Sequence, residues 1–146
     1  MTDRTAPAAA AARDEETIEW EVIVAAPPEL VWQFWADPAR LVRWMGTEAT
    51  LEPRPGGDIV VRYGNGAVMR GEIVEVDPPR RLVFTWGWED PAEIVRPGES
   101  RVEVTLEAAD QGTRVHVRHL GLPTPERAGH AEGWDYFLGR LLEAAA

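Results

Sequence analysis

The chain has no cysteine among its 146 residues, and no lysine. Without cysteine there is no disulfide framework and no thiol nucleophile, and a zinc site would have to be assembled from histidines and carboxylates. Without lysine, all 15 positive charges are arginine; against 25 Asp and Glu they leave a net charge of −10. Nucleic-acid and anionic-membrane surfaces need clustered Lys and Arg, so neither is expected as a partner. Long apolar runs are missing too: none approaches the roughly 20 residues of a membrane span. The opening MTDRTAPAAAAARDEE has a short, weakly apolar alanine run flanked by acids. A secretory signal wants a basic start and a properly apolar stretch. Residues 1–16 therefore read as a flexible tail, residues 17–146 as one domain, and the protein as cytoplasmic.

What is present in excess is tryptophan: Trp20, Trp32, Trp35, Trp44, Trp86, Trp88 and Trp134 make 7. Tryptophan is large and seldom fully buried, so one small core does not easily hide this many. Some are expected to border a cavity, because ligand pockets are lined mostly by apolar and aromatic groups.

Hydrophobic periodicity gives the order of elements. TIEWEVIV (17–24) alternates Ile18, Trp20, Val22 and Val24 against Glu19 and Glu21, a strand with one wet face. In the next stretch Leu30, Val31, Phe34 and Trp35 form one stripe of a short helix opened by Pro28, and Asp37-Pro38 starts a second short helix. TEATLEP leads through PRPGGD to DIVVRY, which meets AVMRGEIVEV across Gly64-Asn65-Gly66, a strong hairpin signal. RLVFTWGW follows the VDPPRR turn, EDPAEIVRPGES is a loop, and SRVEVTLEA and TRVHVRHL alternate as two further strands. Thr124-Pro125 opens a terminal helix carrying Trp134, Phe137, Leu138, Leu141 and Leu142, but also Gly129, Gly133 and Gly139. The expected fold is α+β: a curved antiparallel sheet of about seven strands wrapped around that last helix, with two short helices after the first strand. Glycine within a helix costs about 0.5–1 kcal/mol relative to alanine. Two readings remain open for the glycines: Gly133 lets the helix lie close to the sheet, or the segment 129–133 is a frayed helix start.

The same ordered pieces resemble a known family. The VW…DP…W run, the PGG turn, GEIVEVDPP with RLVFTW, and the late GW in the helix are together similar to the family named after the activator of the 90-kDa heat-shock protein ATPase. That family sits in the START-like (SRPBCC) helix-grip superfamily, and the likeness covers roughly residues 17–143. The resemblance implies a cavity between sheet and long helix, often used for apolar small molecules. The eukaryotic co-chaperones carry an additional N-terminal domain important for stimulating the ATPase, for which only sixteen residues are available here. The family name is therefore not taken as the function.

Within that frame the residues expected to face the ligand are Trp44, Tyr63, Trp86, His119, Trp134 and Phe137. The rings would supply stacking, and Tyr63 and His119 would orient a polar group. His116 and His119 are three apart on a strand and so face opposite ways, with His119 inward. A metal site from His119 and His130 would need carboxylates that no motif supplies, and neither metal nor cofactor is expected. Arg70 and Glu72 share parity with Val68 and Val74, and form either a polar pair inside the cavity or a solvated ladder. The other register, with Met69, Gly71, Ile73 and Glu75 inward, is equally apolar at its centre, and a bulge could switch faces midway. The favoured function is sequestering, carrying or sensing an apolar, aromatic ligand. The alternatives are a cofactor-independent cyclase, hydrolase or isomerase using His119 or Arg70 with Glu72, and a chaperone-interacting module. Monomer and homodimer are both compatible with the sequence.

Overall fold

The computed structural model describes residues 17–146; the segment read as a tail, 1–16, lies outside the described residues. In chain order the elements are β1 (Ile18–Val24), α1 (Pro28–Ala36), α2 (Pro38–Leu41), β2 (Glu48–Leu51), β3 (Asp58–Arg62), β4 (Val68–Asp77), β5 (Arg81–Trp86), β6 (Ser100–Ala109), β7 (Gly112–Leu120) and α3 (Thr124–Ala145). The strands form one antiparallel sheet in the order β1-β7-β6-β5-β4-β3-β2. The α1–α2 pair carries the chain from one edge to the other, after which the sheet meanders back until β7 lies beside β1. Asp37 makes the sharp corner between the short helices: it ends α1 and caps α2, its Oδ1 accepting from the Ala39 N–H at 3.0 Å.

Alternation decides the faces. Val102, Val104, Val115 and Val117 have no exposed surface and form the centre of the sheet's inner side. Each such side chain contributes about 1.5–3 kcal/mol of transfer free energy. Over this face lies α3, which buries Trp134, Leu138, Leu141 and Ala145 as a single stripe at helical spacing. The outer side of the sheet carries ion pairs, among them Arg118–Glu103 at 3.0 Å and Arg114–Glu21 at 2.8 Å. The helix-grip expectation therefore stands, with seven strands among the described residues.

In β4 the structure takes the second register. Met69, Gly71 and Ile73 are buried, while Arg70 and Glu72 are exposed. A register shift between Ile73 and Glu75 then turns Val76 toward the core. Arg70 pairs with Glu89 on the outside. The polar cavity pair drawn from Arg70 and Glu72 is thus corrected: two charged side chains would have to give up water to enter, whereas Met69 and Ile73 gain by it.

A cleft lined by indole rings

One stripe of α3, sharing Trp134 with its core stripe, faces an opening. Glu126, Gly129, His130, Gly133, Trp134 and Phe137 recur every three or four residues and so share a side of the helix. Opposite them stand Trp86 at the end of β5, Trp88 just beyond it, and Tyr63 at the start of the β3–β4 hairpin tip. Together they bound a cleft of about 850 Å³. Its aromatic wall is continuous. Tyr63 lies 5.7 Å from Trp88 and 5.6 Å from Phe137 between ring centroids, and Trp86 lies 5.5 Å from both Trp88 and Trp134.

The β5–β6 connection holds this wall in place. Gly87 lets the chain fold over itself, because a Cβ there would come within 2.1 Å of the Arg96 backbone carbonyl. Beyond that crossing, Arg96 Nη1 donates to the carbonyls of Trp88, Glu89 and Asp90 at 2.9, 3.2 and 2.6 Å. The Trp88 N–H donates to Val95 O and the Glu89 N–H to Val68 O, at 2.8 and 2.9 Å. A stretch without periodicity is thereby fixed by one guanidinium and two strand-like hydrogen bonds. It presents Glu89, Asp90 and Glu93 at the mouth of the cleft.

Two histidines sit behind and beside the rings, and their tautomers follow from their partners. An indole N–H can only donate. Trp134 Nε1–H donates to His119 Nδ1 at 3.0 Å, so the proton of His119 is on Nε2 and is donated to Ser100 Oγ at 2.9 Å. Ser100 Oγ in turn donates to Trp86 O at 2.8 Å. Trp88 Nε1–H likewise donates to His130 Nε2 at 3.1 Å, leaving His130 Nδ1–H to donate to Glu126 O at 2.8 Å. Both rings are neutral, with their lone pairs committed to indoles. Burial holds the His119 imidazole well below its ordinary pKa of 6.5. Two polar atoms in the cleft wall are left over: Tyr63 Oη and Trp86 Nε1 are buried without a partner among the described residues. Burial also pushes the Tyr63 phenol up, so it stays protonated and able to donate.

Of the six residues expected to face a ligand, Tyr63, Trp86, Trp134 and Phe137 line the cleft, and Trp44 and His119 do not. Trp44 is wholly buried, packed edge-on against Trp35 at 4.7 Å, and its Nε1–H donates to Phe34 O at 2.7 Å. Its neighbour Met45 reaches the cleft instead. His119 faces inward as strand parity required, but it lies one layer down, against Trp86 and Trp134. Trp88, His130 and the carboxylates of the β5–β6 connection were missed. Trp88 had a signal, since it shares parity with Trp86; the carboxylates had none, because an irregular loop has no period to read. Among the described residues no group of three His, Asp or Glu side chains is placed to hold a metal ion. No helix among them is long and apolar enough to cross a membrane.

The glycines of α3 fit neither earlier reading. The helix is continuous from Thr124, and a Cβ on Gly129, Gly133 or Gly139 would meet nothing within 4 Å. Gly129 and Gly133 border the cleft and keep it open. Gly133→Ala is accordingly expected to raise the unfolding free energy by about 0.5–1 kcal/mol through helix propensity alone. Urea denaturation would show it as a higher midpoint at constant slope.

Residues 25–146 match the family described as Activator of Hsp90 ATPase homolog 1-like protein, and the chain belongs to that family. Among solved structures it is similar to an AHSA1-like protein of Rhizobium etli, with 43% identity over 89% of this chain and 82% of that one, at a TM-score of 0.69. Protein MLL2253 of Mesorhizobium loti is 28% identical over 88% and 95% of the two chains, with a TM-score of 0.77. DynU16, from the dynemicin biosynthetic locus, is 31% identical over 88% of this chain but only 46% of its own, with a TM-score of 0.76. No curated protein matches the sequence.

Proposed function

We propose that the protein binds an apolar, aromatic small molecule in the cleft between the sheet and α3, and so sequesters, carries or senses it. The observation that carries this reading is the pairing of a continuous aromatic wall with two buried, unpartnered polar atoms, Tyr63 Oη and Trp86 Nε1. An unsatisfied buried donor costs about 1–3 kcal/mol, which an acceptor on a bound molecule would offset. The volume of about 850 Å³ falls in the range of small-molecule pockets, roughly 300–1,000 Å³. The likeness to a protein from a biosynthetic locus agrees with handling of small molecules. Acid–base chemistry finds less support. Arg70 and Glu72 are on the far side of the sheet, and both ring nitrogens of His119 are already taken.

Intrinsic tryptophan fluorescence tests the reading, because Trp86, Trp88 and Trp134 all border the cleft. Titration with a panel of hydrophobic aromatic compounds is expected to give a saturable change with at least one. Gly133→Leu, which projects a side chain into the opening, is expected to abolish that change while leaving the protein folded. If no compound gives saturation, or if the leucine variant binds as well as the parent, the cleft is not a ligand site.

A further inference from the structure

The mouth of the cleft carries charge of one sign. Its lining includes Glu89, Asp90, Glu93 and Glu126 and, among the described residues, no arginine. Arginines do lie near: Arg70 pairs with Glu89, and Arg96 is spent on backbone carbonyls of the same loop. Asp90 turns one oxygen to the Ala92 N–H at 2.9 Å, and neither Asp90 nor Glu93 makes an ion pair among the described residues. Glu126 has, among the described residues, only the neutral His130 beside it, at 3.9 Å. An anion entering here would meet three carboxylates, those of Asp90, Glu93 and Glu126, that no arginine among the described residues pairs with.

Deeper in, the chemistry is different. The wall is made of π faces, on which a cation is attracted by the ring quadrupole. At the same depth, the unpartnered indole N–H of Trp86 can only donate, and the protonated phenol of Tyr63 is free to donate. The cleft therefore asks for two things of one molecule: an accepting oxygen at the inner end and positive charge at the outer end. We propose that its ligand is an arylalkyl amine of this kind, its nitrogen on a saturated carbon and protonated at neutral pH, with a carbonyl, ether or phenolic oxygen on the ring portion. The carboxylate-bearing ligands of the same size, such as aromatic or fatty acids, are selected against. This rests on the reading of the cleft as a small-molecule site, and adds to it the charge of the occupant. The electrostatic part acts mostly through partly exposed groups, so it is sensitive to salt.

Three naphthyl methyl ketones that differ only in one substituent, aminomethyl, hydroxymethyl or carboxymethyl, separate these points by isothermal titration calorimetry. The ammonium probe is expected to bind about tenfold more tightly than the neutral alcohol at low salt, and the carboxylate more weakly than either. Raising the salt from 20 to 500 mM should shrink the gap several-fold. In a Glu93→Gln, Glu126→Gln double variant, the dissociation constant of the ammonium probe should approach that of the alcohol. If alcohol and carboxylate bind as well as the ammonium compound, or if the double variant keeps the full preference, the charge assignment fails while the small-molecule site survives. If none of the three binds saturably, and no member of a wider hydrophobic panel does either, both fail together.

Discussion

Trp134→Ala is expected to lower the unfolding free energy by about 3–5 kcal/mol, the usual cost of deleting a buried aromatic ring. The reason lies in how many surfaces this one indole joins. It is only 3% exposed, stacks on Trp35 at 6.2 Å, and touches Trp20 and Trp86 at 6.4 and 5.5 Å. It is thus the point at which α3, α1 and the sheet meet. A loss of that size is a large share of the 5–15 kcal/mol that typically holds a domain together. Trp134→Phe separates packing from hydrogen bonding. The benzyl ring keeps part of the stack, but the Nε1–H is gone and the lone pair of His119 Nδ1 is left buried without a donor, a further cost of about 1–3 kcal/mol. Chemical denaturation of both variants would read the two contributions. An alanine variant within about 1 kcal/mol of the parent would show that the rings beside Trp134 close over its place and that the indole is not the junction argued here.

How far the sequence foretold this arrangement depends on whether a feature is local. The period-2 pattern of TRVHVRHL by itself places His116 and His119 on opposite faces, and the structure has them so: His116 beside Glu19 at 3.2 Å, His119 wholly buried. The hairpin at Gly64-Asn65-Gly66 and the Asp37-Pro38 corner are equally legible, since each needs only its own few residues. In β4 both faces of VMRGEIVEV offer apolar residues, so alternation cannot choose between them; the choice falls to the pairing with β5 and its shift after Ile73. The aromatic set shows a different limit. Core and pocket use the same residue types, and whether an indole ends in one or the other depends on stacking order across elements. Trp44 is covered by Trp35 and taken out of the cleft, whereas Trp88, with no such cover, stays in it. Nor can the helical pattern of α3 reveal that Gly133 is there to keep space open rather than to permit contact, because both uses look alike along the chain.

The buried histidine gives the second large effect, on the pH dependence of stability. His119 is neutral in the folded protein, and burial keeps its pKa well below 6.5. In the unfolded chain it titrates near 6.5. Below that value the unfolded state holds a proton that the native state lacks, so stability falls as pH drops. The contribution is fully present above about pH 6.5 and is lost progressively as pH falls below it toward the depressed native pKa, with a slope of at most roughly 1.4 kcal/mol per pH unit. There is a structural reason for the native state to resist the proton. A protonated His119 would set an Nδ1–H against the Trp134 Nε1–H, two donors facing each other at 3.0 Å in a dry site. The measurement is a difference between two variants, so that contributions common to both cancel. Unfolding free energies of the parent and of His119→Gln, taken between pH 5 and 7.5, should diverge from a constant offset below pH 6.5, with the parent losing more. A difference that stays flat across the whole range would mean that His119 takes up its proton in the fold as easily as out of it, and that the indole–imidazole–serine chain beneath the cleft does not fix its neutral form.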